Sequence, residues 1–334
     1  MILVTGGAGF IGSHVCAELL GAGRTVAVFD DFSHSTPAAI DRIAAVAGRR
    51  PAVFRGDVRD AAALSDAIER TSATSVIHLA GMKSVPKSFL MPGEFHDANV
   101  RGVQTLLDVT RRSGVRRIIF SSSATVYAPA TGPVGEDAAL APCSPYGQSK
   151  LQAERLLQGA AVDGMAVAIL RYFNASGAHE SGALGDAFTP QGDDVVSSLL
   201  RARSLGIPFR VHGMAFGTRD GTAERDYVHV QDLAGLHVRV TDWLGDRPGL
   251  HIFNAGSGRG STVLEALRMF EQACGQTLPW VCADPRPGDL ASYVADMGRC
   301  ARELQWSAFR GLAAVMNDAL RWHATKGKAA APVR

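Results

Sequence analysis

Tyr146 and Lys150, one helical turn apart in Ser144-Pro-Tyr-Gly-Gln-Ser-Lys150, are the residues of this chain best suited to chemistry. On a helix, a spacing of four puts both side chains on one face, where an ammonium favours the phenolate and makes a base that works near neutral pH. The same ammonium can reach the ribose of a bound nucleotide. Far upstream, Gly6-x-x-Gly9-x-x-Gly12 follows the apolar run Ile2-Leu-Val4 and opens a helical segment from Ile11 to Leu20. A strand, a glycine turn and a helix N-terminus together form a pyrophosphate site. A base beside such a site implies hydride chemistry on an alcohol.

Other positions extend this reading. Asp30 closes the next apolar run, eighteen residues after Gly12. There a carboxylate accepts the adenosine ribose hydroxyls and repels a 2′-phosphate, so the expected cofactor is NAD rather than NADP. Asp31 adjoins it, and Asp57-Val58, after the third run, is a candidate adenine contact. Ser121-Ser-Ser123 ends the run Arg117-Ile-Ile-Phe120, at the sheet edge where open α/β folds bind ligands, and Ser123 and Thr125 can donate to a substrate hydroxyl.

These residues must be positioned by a regular scaffold. Short apolar runs at Ile2–Val4, Val26–Phe29, Val53–Phe54, Val76–Leu79, Ile118–Phe120 and Val167–Leu170 are each separated by twenty or more residues of helical character, such as the stripe Val100, Val103, Leu106, Leu107, Thr110. That rhythm predicts a Rossmann-type α/β fold, a doubly wound parallel sheet. It holds over residues 1–174, then breaks into a Gly, Asp and Pro-rich stretch from Gly177 to Gly192. The strand-like Asp226–Val230 and His251–Asn254 are candidates to rejoin the first sheet. The expected division is therefore a dinucleotide-binding domain, 1–174 with about 226–258, interleaved with a smaller substrate domain of 175–225 and 259–325. A short basic tail, 326–334, follows.

Composition narrows the partners. Thirty-four basic against thirty-two acidic side chains argue against a nucleic-acid or membrane surface, and 46% apolar content supports a sizeable core. The five cysteines lack metal-ligand or disulfide spacing, which fits a reducing compartment and no metal. The N-terminus lacks a basic leader and no apolar run approaches eighteen residues, so a cytoplasmic protein acting on a small molecule is expected.

Longer segments carry a resemblance. Val4-Thr-Gly-Gly-Ala-Gly-Phe-Ile-Gly-Ser-His14, His78-Leu-Ala-Gly-Met-Lys83, Ser121-Ser-Ser-Ala-Thr-Val-Tyr127, Ser144–Lys150, Arg171-Tyr-Phe-Asn-Ala-Ser-Gly-Ala-His179, Asp220–Leu233 and Arg286-Pro-Gly-Asp-Leu290 resemble the UDP-glucose 4-epimerase family of extended short-chain dehydrogenases/reductases, along nearly the whole chain. The resemblance implies that Phe10, Ile11, Leu79, Ala80, Gly81, Lys83, Asn99 and Phe173 join the glycines around NAD. It implies that Lys83, Ser123, Asn174, Arg225, Arg286, Asp289 and Tyr293 hold a nucleotide-sugar, with the two arginines on its diphosphate. Tyr146 would take the 4-hydroxyl proton while C4 hydride passes to NAD and then returns to the other face of the 4-keto sugar. The family also implies a homodimer, through the helices near 100–110 and 147–157.

Some positions depart from the family's pattern. Asp193-Asp-Val195 stands where the family has Asn-Asn-Leu, His212 replaces an aromatic before Gly213, and Lys87 resembles the basic version found in N-acetylhexosamine and uronate epimerases. Tyr293 matches the bulky residue associated with excluding N-acetylated sugars. UDP-glucose/UDP-galactose is the first substrate expected, with UDP-N-acetylhexosamine, UDP-uronate or dTDP-hexose epimerisation as alternatives. A 4,6-dehydratase would place Asp-Glu where Thr125-Val126 stands, and a non-catalytic NAD sensor would not need Ser123, Tyr146 and Lys150.

Overall fold

A computed structural model describes residues 1–186, 194–245 and 247–329. Its strands are β1 (Ile2–Thr5), β2 (Val26–Asp30), β3 (Ala52–Arg55), β4 (Ser75–His78), β5 (Arg117–Ser123), β6 (Ala166–Tyr172), β7 (Asn174–Ser176), β8 (Phe209–His212), β9 (Glu224–His229), β10 (Gly249–Ala255), β11 (Gly260–Thr262), β12 (Trp280–Ala283) and β13 (Ser292–Tyr293). Seven of them form one parallel sheet in the order β10-β6-β5-β4-β1-β2-β3, with helices on both faces. This is the Rossmann-type α/β architecture that the apolar rhythm predicts.

Alternation along the strands sorts the core into two layers. Ile2, Val4, Val26 and Val28 face the helices Phe10–Gly21, Ala38–Ala47 and Val230–Leu244, whereas Leu3, Ala27, Phe29 and Phe120 face Ala61–Thr71, Gly102–Thr110 and Pro145–Val162. Val103, Leu106, Leu107 and Thr110 are buried, so the apolar stripe near 100–110 is core within the chain. The chain winds outward from β1 to β3, then crosses back to β4 and winds the other way. The reversal leaves a crevice at the carboxyl ends of β1 and β4, the usual ligand position in such sheets.

Of the two later strands that could rejoin the sheet, β10 does so beside β6, and β9 does not. β9 instead pairs with β7, β11 and β13 in a second, smaller sheet. Its sequence explains this, since β9 opens on Glu-Arg-Asp, and a strand sandwiched between helix layers needs apolar residues on both faces. β8 and β12 pair separately. A third cluster, including Leu199, Phe209, Tyr227, Phe270 and Val315, packs the helices Val195–Leu205, Val263–Cys274 and Leu312–Ala329 around these strands. The last helix reaches Ala329, so the basic stretch begins inside it, where Ala and Lys are good helix formers. Among the described residues, no helix is long and apolar enough to cross a membrane, and no cluster of His, Cys, Asp and Glu could hold a metal ion.

Candidate active site

The glycine turn has the shape of a cradle. Gly6 adopts φ +68°, and a Cβ there would sit 2.7 Å from the Ala80 nitrogen, so only glycine lets the ends of β1 and β4 meet. A Cβ on Gly12 would lie 2.1 Å from the Gly6 carbonyl oxygen, which makes the absent side chain a condition for the first helix to rest on the turn. Gly9 caps that helix with extended backbone and no side-chain bond, leaving the N-terminal amides facing the crevice. Phe10 packs edge-on against His14, and Ile11 packs against the core.

Asp30 is buried at the end of β2. Its Oδ2 accepts from the Ala8 amide at 2.9 Å, and its Oδ1 accepts from the Phe32 amide and the Ser35 hydroxyl, each at 2.9 Å. A carboxylate has about four acceptor sites, so capacity remains for a ribose hydroxyl. Its bond to Ala8 also fixes the glycine turn, a role the sequence did not suggest. Asp31 accepts from the Ser33 amide and hydroxyl. Asp57 is ion-paired with Arg59, which also binds Asp97, and the Arg59 hydrogen bonds to Asp57 lower the Asp57 pKa. The Val58 side chain is in the core. Cradle, uncapped helix N-terminus and a buried carboxylate with spare acceptor capacity together fit a dinucleotide.

On the opposite wall, Leu79 and Ala80 pack against the two core layers, and Gly81 lies close to both Asn99 and Lys150. Asn99, buried in a π-helical turn, accepts from the Met82 amide at 2.8 Å and donates to the Met82 carbonyl and to Ser149 Oγ. Its amide therefore holds the 81–83 backbone against the reactive helix. The Lys83 side chain is 72% exposed, with Nζ 5.8 Å over the Phe10 ring and 3.9 Å from Asp186.

Tyr146 and Lys150 sit in the first turns of the helix Pro145–Val162, which Ser144 caps by accepting from the Gly147 amide. The half-buried Tyr146 ring stands edge-on to Phe95, with centroids 6.1 Å apart. Burial raises its pKa, and a hydrogen bond with Ser123 opposes that rise. Here the structure corrects the sequence reading, in which Lys150 lowers the tyrosine. The lysine stem runs inward under β5, so Nζ donates to the Ser121 carbonyl at 2.9 Å and lies 5.0 Å over the Phe120 ring. Spacing of four fixes the helix face, but a long side chain chooses its own partner. Burial in turn lowers Lys150 to about 8. Ser123 Oγ accepts from the Thr125 amide and hydroxyl, at 3.2 and 2.9 Å, so serine, threonine and tyrosine form one hydroxyl cluster at the end of β5.

The second sheet supplies another wall. Arg225 donates to the Glu224 and Leu290 carbonyls at 2.8 Å and lies 3.5 Å from Asp289, whose other oxygen accepts from the Arg286 amide. Arg225, Arg286 and Asp289 thus share one corner. Tyr293 donates to the Tyr127 carbonyl at 3.1 Å, and burial raises its pKa to about 12. Phe173 is buried beside Val126 and Leu151, and Asn174 begins β7. Asp194 caps the helix Val195–Leu205 by accepting from the Ser197 amide, so its charge faces a helix N-terminus. Asp193 lies outside the described residues. His212 is bonded through Nδ1 to the Asp284 carbonyl, and the Lys87 amide donates to the capping hydroxyl of Ser84.

Two buried groups escaped the sequence reading. Asp226 accepts from the Ser257, Gly258 and Ala295 amides and the Ser257 hydroxyl, tying β9 to the loop after β10. Glu154 and Arg171 form a buried ion pair, joined to β5 by the Ser122 hydroxyl, which donates to Glu154. Glu154 was detectable, since it follows Lys150 by a second spacing of four.

With this geometry, a dinucleotide-dependent enzyme of the extended Rossmann class is defined. The pattern of the NAD dependent epimerase/dehydratase family matches residues 2–256, and the chain belongs to that family. It is 39% identical to a UDP-glucose 4-epimerase of Bacillus subtilis over 97% of both chains, and 38% identical to one of Pasteurella multocida over 96% of both. Among solved structures, it is similar to a UDP-glucose 4-epimerase of Stenotrophomonas maltophila with bound NAD and formylated UDP-arabinopyranose, with TM-score 0.96, 35% identity and coverage of 98% of this chain and 99% of that one. It is also similar to the Bifidobacterium longum UDP-glucose 4-epimerase in complex with NAD+ and UDP, with TM-score 0.93, 38% identity and 98% of both chains covered.

Proposed function

We propose that this chain is an NAD-dependent isomerase that inverts C4 of a UDP-hexose, with UDP-glucose and UDP-galactose as its first substrates. The observation that carries this reading is the hydroxyl cluster of Ser123, Thr125 and Tyr146 beside the glycine cradle. The cradle would hold NAD, which would supply a reversible hydride acceptor for C4 of the sugar. Gly6, Gly9 and Gly12 leave room for its pyrophosphate, and Asp30 orients the adenosine ribose. Ser123 and Thr125 position the sugar 4-hydroxyl, and Tyr146 removes its proton and later returns it. Lys150, a buried cation steadied by the Ser121 carbonyl, bonds the neighbouring ribose. Arg225 and Arg286 face the diphosphate, steadied by Asp289.

Two features favour epimerisation of a plain hexose. Elimination of water would need a carboxylate pair beside Ser123, and those places hold the hydroxyl of Thr125 and the buried Val126. Tyr293, pinned to the Tyr127 carbonyl, narrows the sugar end against an N-acetyl group. The division into a dinucleotide-binding part and a substrate-facing part belongs to the same proposal, supported by the separate apolar cluster around Phe270. So does a homodimer, for which light scattering at twice the monomer mass is the check. The substrate is tested with a panel of UDP-hexose, UDP-N-acetylhexosamine, UDP-uronate and dTDP-hexose, with product identified at C4 by NMR. Turnover confined to an N-acetylated or uronate sugar would overturn the assignment.

A further inference from the structure

Behind the reactive hydroxyls lies a buried charged assembly that the steps above do not use. Ser122 Oγ donates to Glu154 Oε1 at 2.5 Å. Arg171 donates to both oxygens of the same carboxylate, from Nε at 3.1 Å and from Nη2 at 2.8 Å, and its Nη1 donates to the Glu136 carbonyl at 3.0 Å. The guanidinium lies 4.8 Å over the Tyr127 ring, whose hydroxyl donates to Asn254. Arg171 is 2% and Glu154 5% exposed. An ion pair so buried is weak evidence of stability, because desolvation offsets most of the attraction, and its retention calls for another account.

Its placement supplies one. Ser122 stands between Ser121, whose carbonyl holds Lys150 Nζ, and Ser123, whose hydroxyl meets Thr125 and Tyr146. Glu154 also lies one helical turn beyond Lys150 and favours its ammonium form. We infer that the Glu154–Arg171 pair is a positioning device for the reacting groups: through Ser122 it fixes the end of β5, and through its carboxylate it keeps Lys150 protonated. Neither residue touches substrate. The inference rests on the reading of Tyr146 and Lys150 as the reacting pair. The groups placed against Lys150 are Glu154 from its own helix, His78 from β4, the Ser121 carbonyl and the Phe120 ring from β5, and Gly81 from the loop after β4. Among these, Glu154 is the carboxylate.

The test uses the full-length holoprotein as wild type and as Glu154→Gln, Glu154→Gln/Arg171→Gln and Ser122→Ala. Lysine Cε-labelled NMR follows the titration of Lys150, which is one of five lysines and is assigned by its loss in Lys150→Met. In Glu154→Gln, the Lys150 midpoint should fall by about one pH unit, as expected when a nearby opposite charge is lost. The alkaline limb of kcat should move with it, kcat should drop about tenfold or more, and KM should stay within twofold. The double variant, which removes both charges, should recover part of that shift. If Glu154→Gln does not fold, Ser122→Ala carries the test: it should lower kcat at unchanged KM and NAD content. An unmoved Lys150 midpoint together with wild-type kcat in Ser122→Ala would overturn the inference. Because the NMR titration needs no turnover, a shifted midpoint in a protein inactive on every sugar would refute the proposed substrate and leave the positioning role standing.

Discussion

Gly12→Ala and Gly9→Ala separate what the glycine turn does for the fold from what it does for the cofactor. At Gly12 the added methyl would be 2.1 Å from the Gly6 oxygen and 2.8 Å from the Gly7 Cα, so the helix must withdraw by about 1 Å to reach a tolerable contact. Overpacking against backbone costs about 3 kcal/mol, and the better helix propensity of alanine returns up to about 1 kcal/mol. The net loss is about 2 kcal/mol. An unfolding entropy of about 2.1 cal/mol/K per residue makes about 0.7 kcal/mol/K for 334 residues, and hence a Tm lower by about 3 °C. At Gly9 the methyl meets only the Gly6 oxygen, at 3.3 Å, with φ −71° that any residue adopts. That variant should melt within about 1 °C of wild type, yet carry less NAD, because the methyl occupies the backbone's approach to the pyrophosphate. Calorimetry on nucleotide-stripped protein, with NAD content measured separately, reads both effects. Equal melting of Gly12→Ala and wild type, or full NAD content in Gly9→Ala, would refute the reasoning.

Other variants and conditions probe the chemistry. Tyr146→Phe should lower kcat by roughly 10²–10⁴ while NAD stays bound, and surviving activity in a sugar-conversion assay would remove Tyr146 from its role as base. Because burial sets Lys150 to about 8 and the ammonium is the working form, kcat should decline as pH rises through about 8, whereas a flat profile to pH 10 would contradict this. His14 and His78, lowered to about 3, and His237, to about 4, are buried neutral by desolvation. The unfolded chain then binds more protons below pH 6.5, so stability is full above that value and falls as pH drops toward 4. Each histidine adds a slope of up to about 1.4 kcal/mol per pH unit. Thermal melts from pH 7 to 5 should show this loss, and His78→Asn should lessen it.

The parts of the fold legible in sequence were those with a period or a local spacing. Continuous apolar runs marked β1, β2, β4, β5 and β6, because a parallel strand buried on both faces has no polar side to interrupt it. The glycine spacing and the turn from Tyr146 to Lys150 were legible because backbone geometry alone relates those residues. What failed to show were choices made between distant segments. The direction of Lys150 depended on the Ser121 carbonyl, and the sheet joined by β9 depended on competition between partners that β7, β11 and β13 won. Asp226 and Arg171 are single polar residues whose burial is compensated by partners far along the chain, and no periodicity announces such pairs.

The central claim, that hydride leaves C4 and returns to the same carbon within one site, is tested most directly by isotope. UDP-galactose deuterated at C4 is incubated with purified protein and no added cofactor, and the product is read by NMR. The account predicts UDP-glucose with deuterium retained at C4. Conversion with the label lost to solvent, or no conversion by protein that carries NAD, would contradict it.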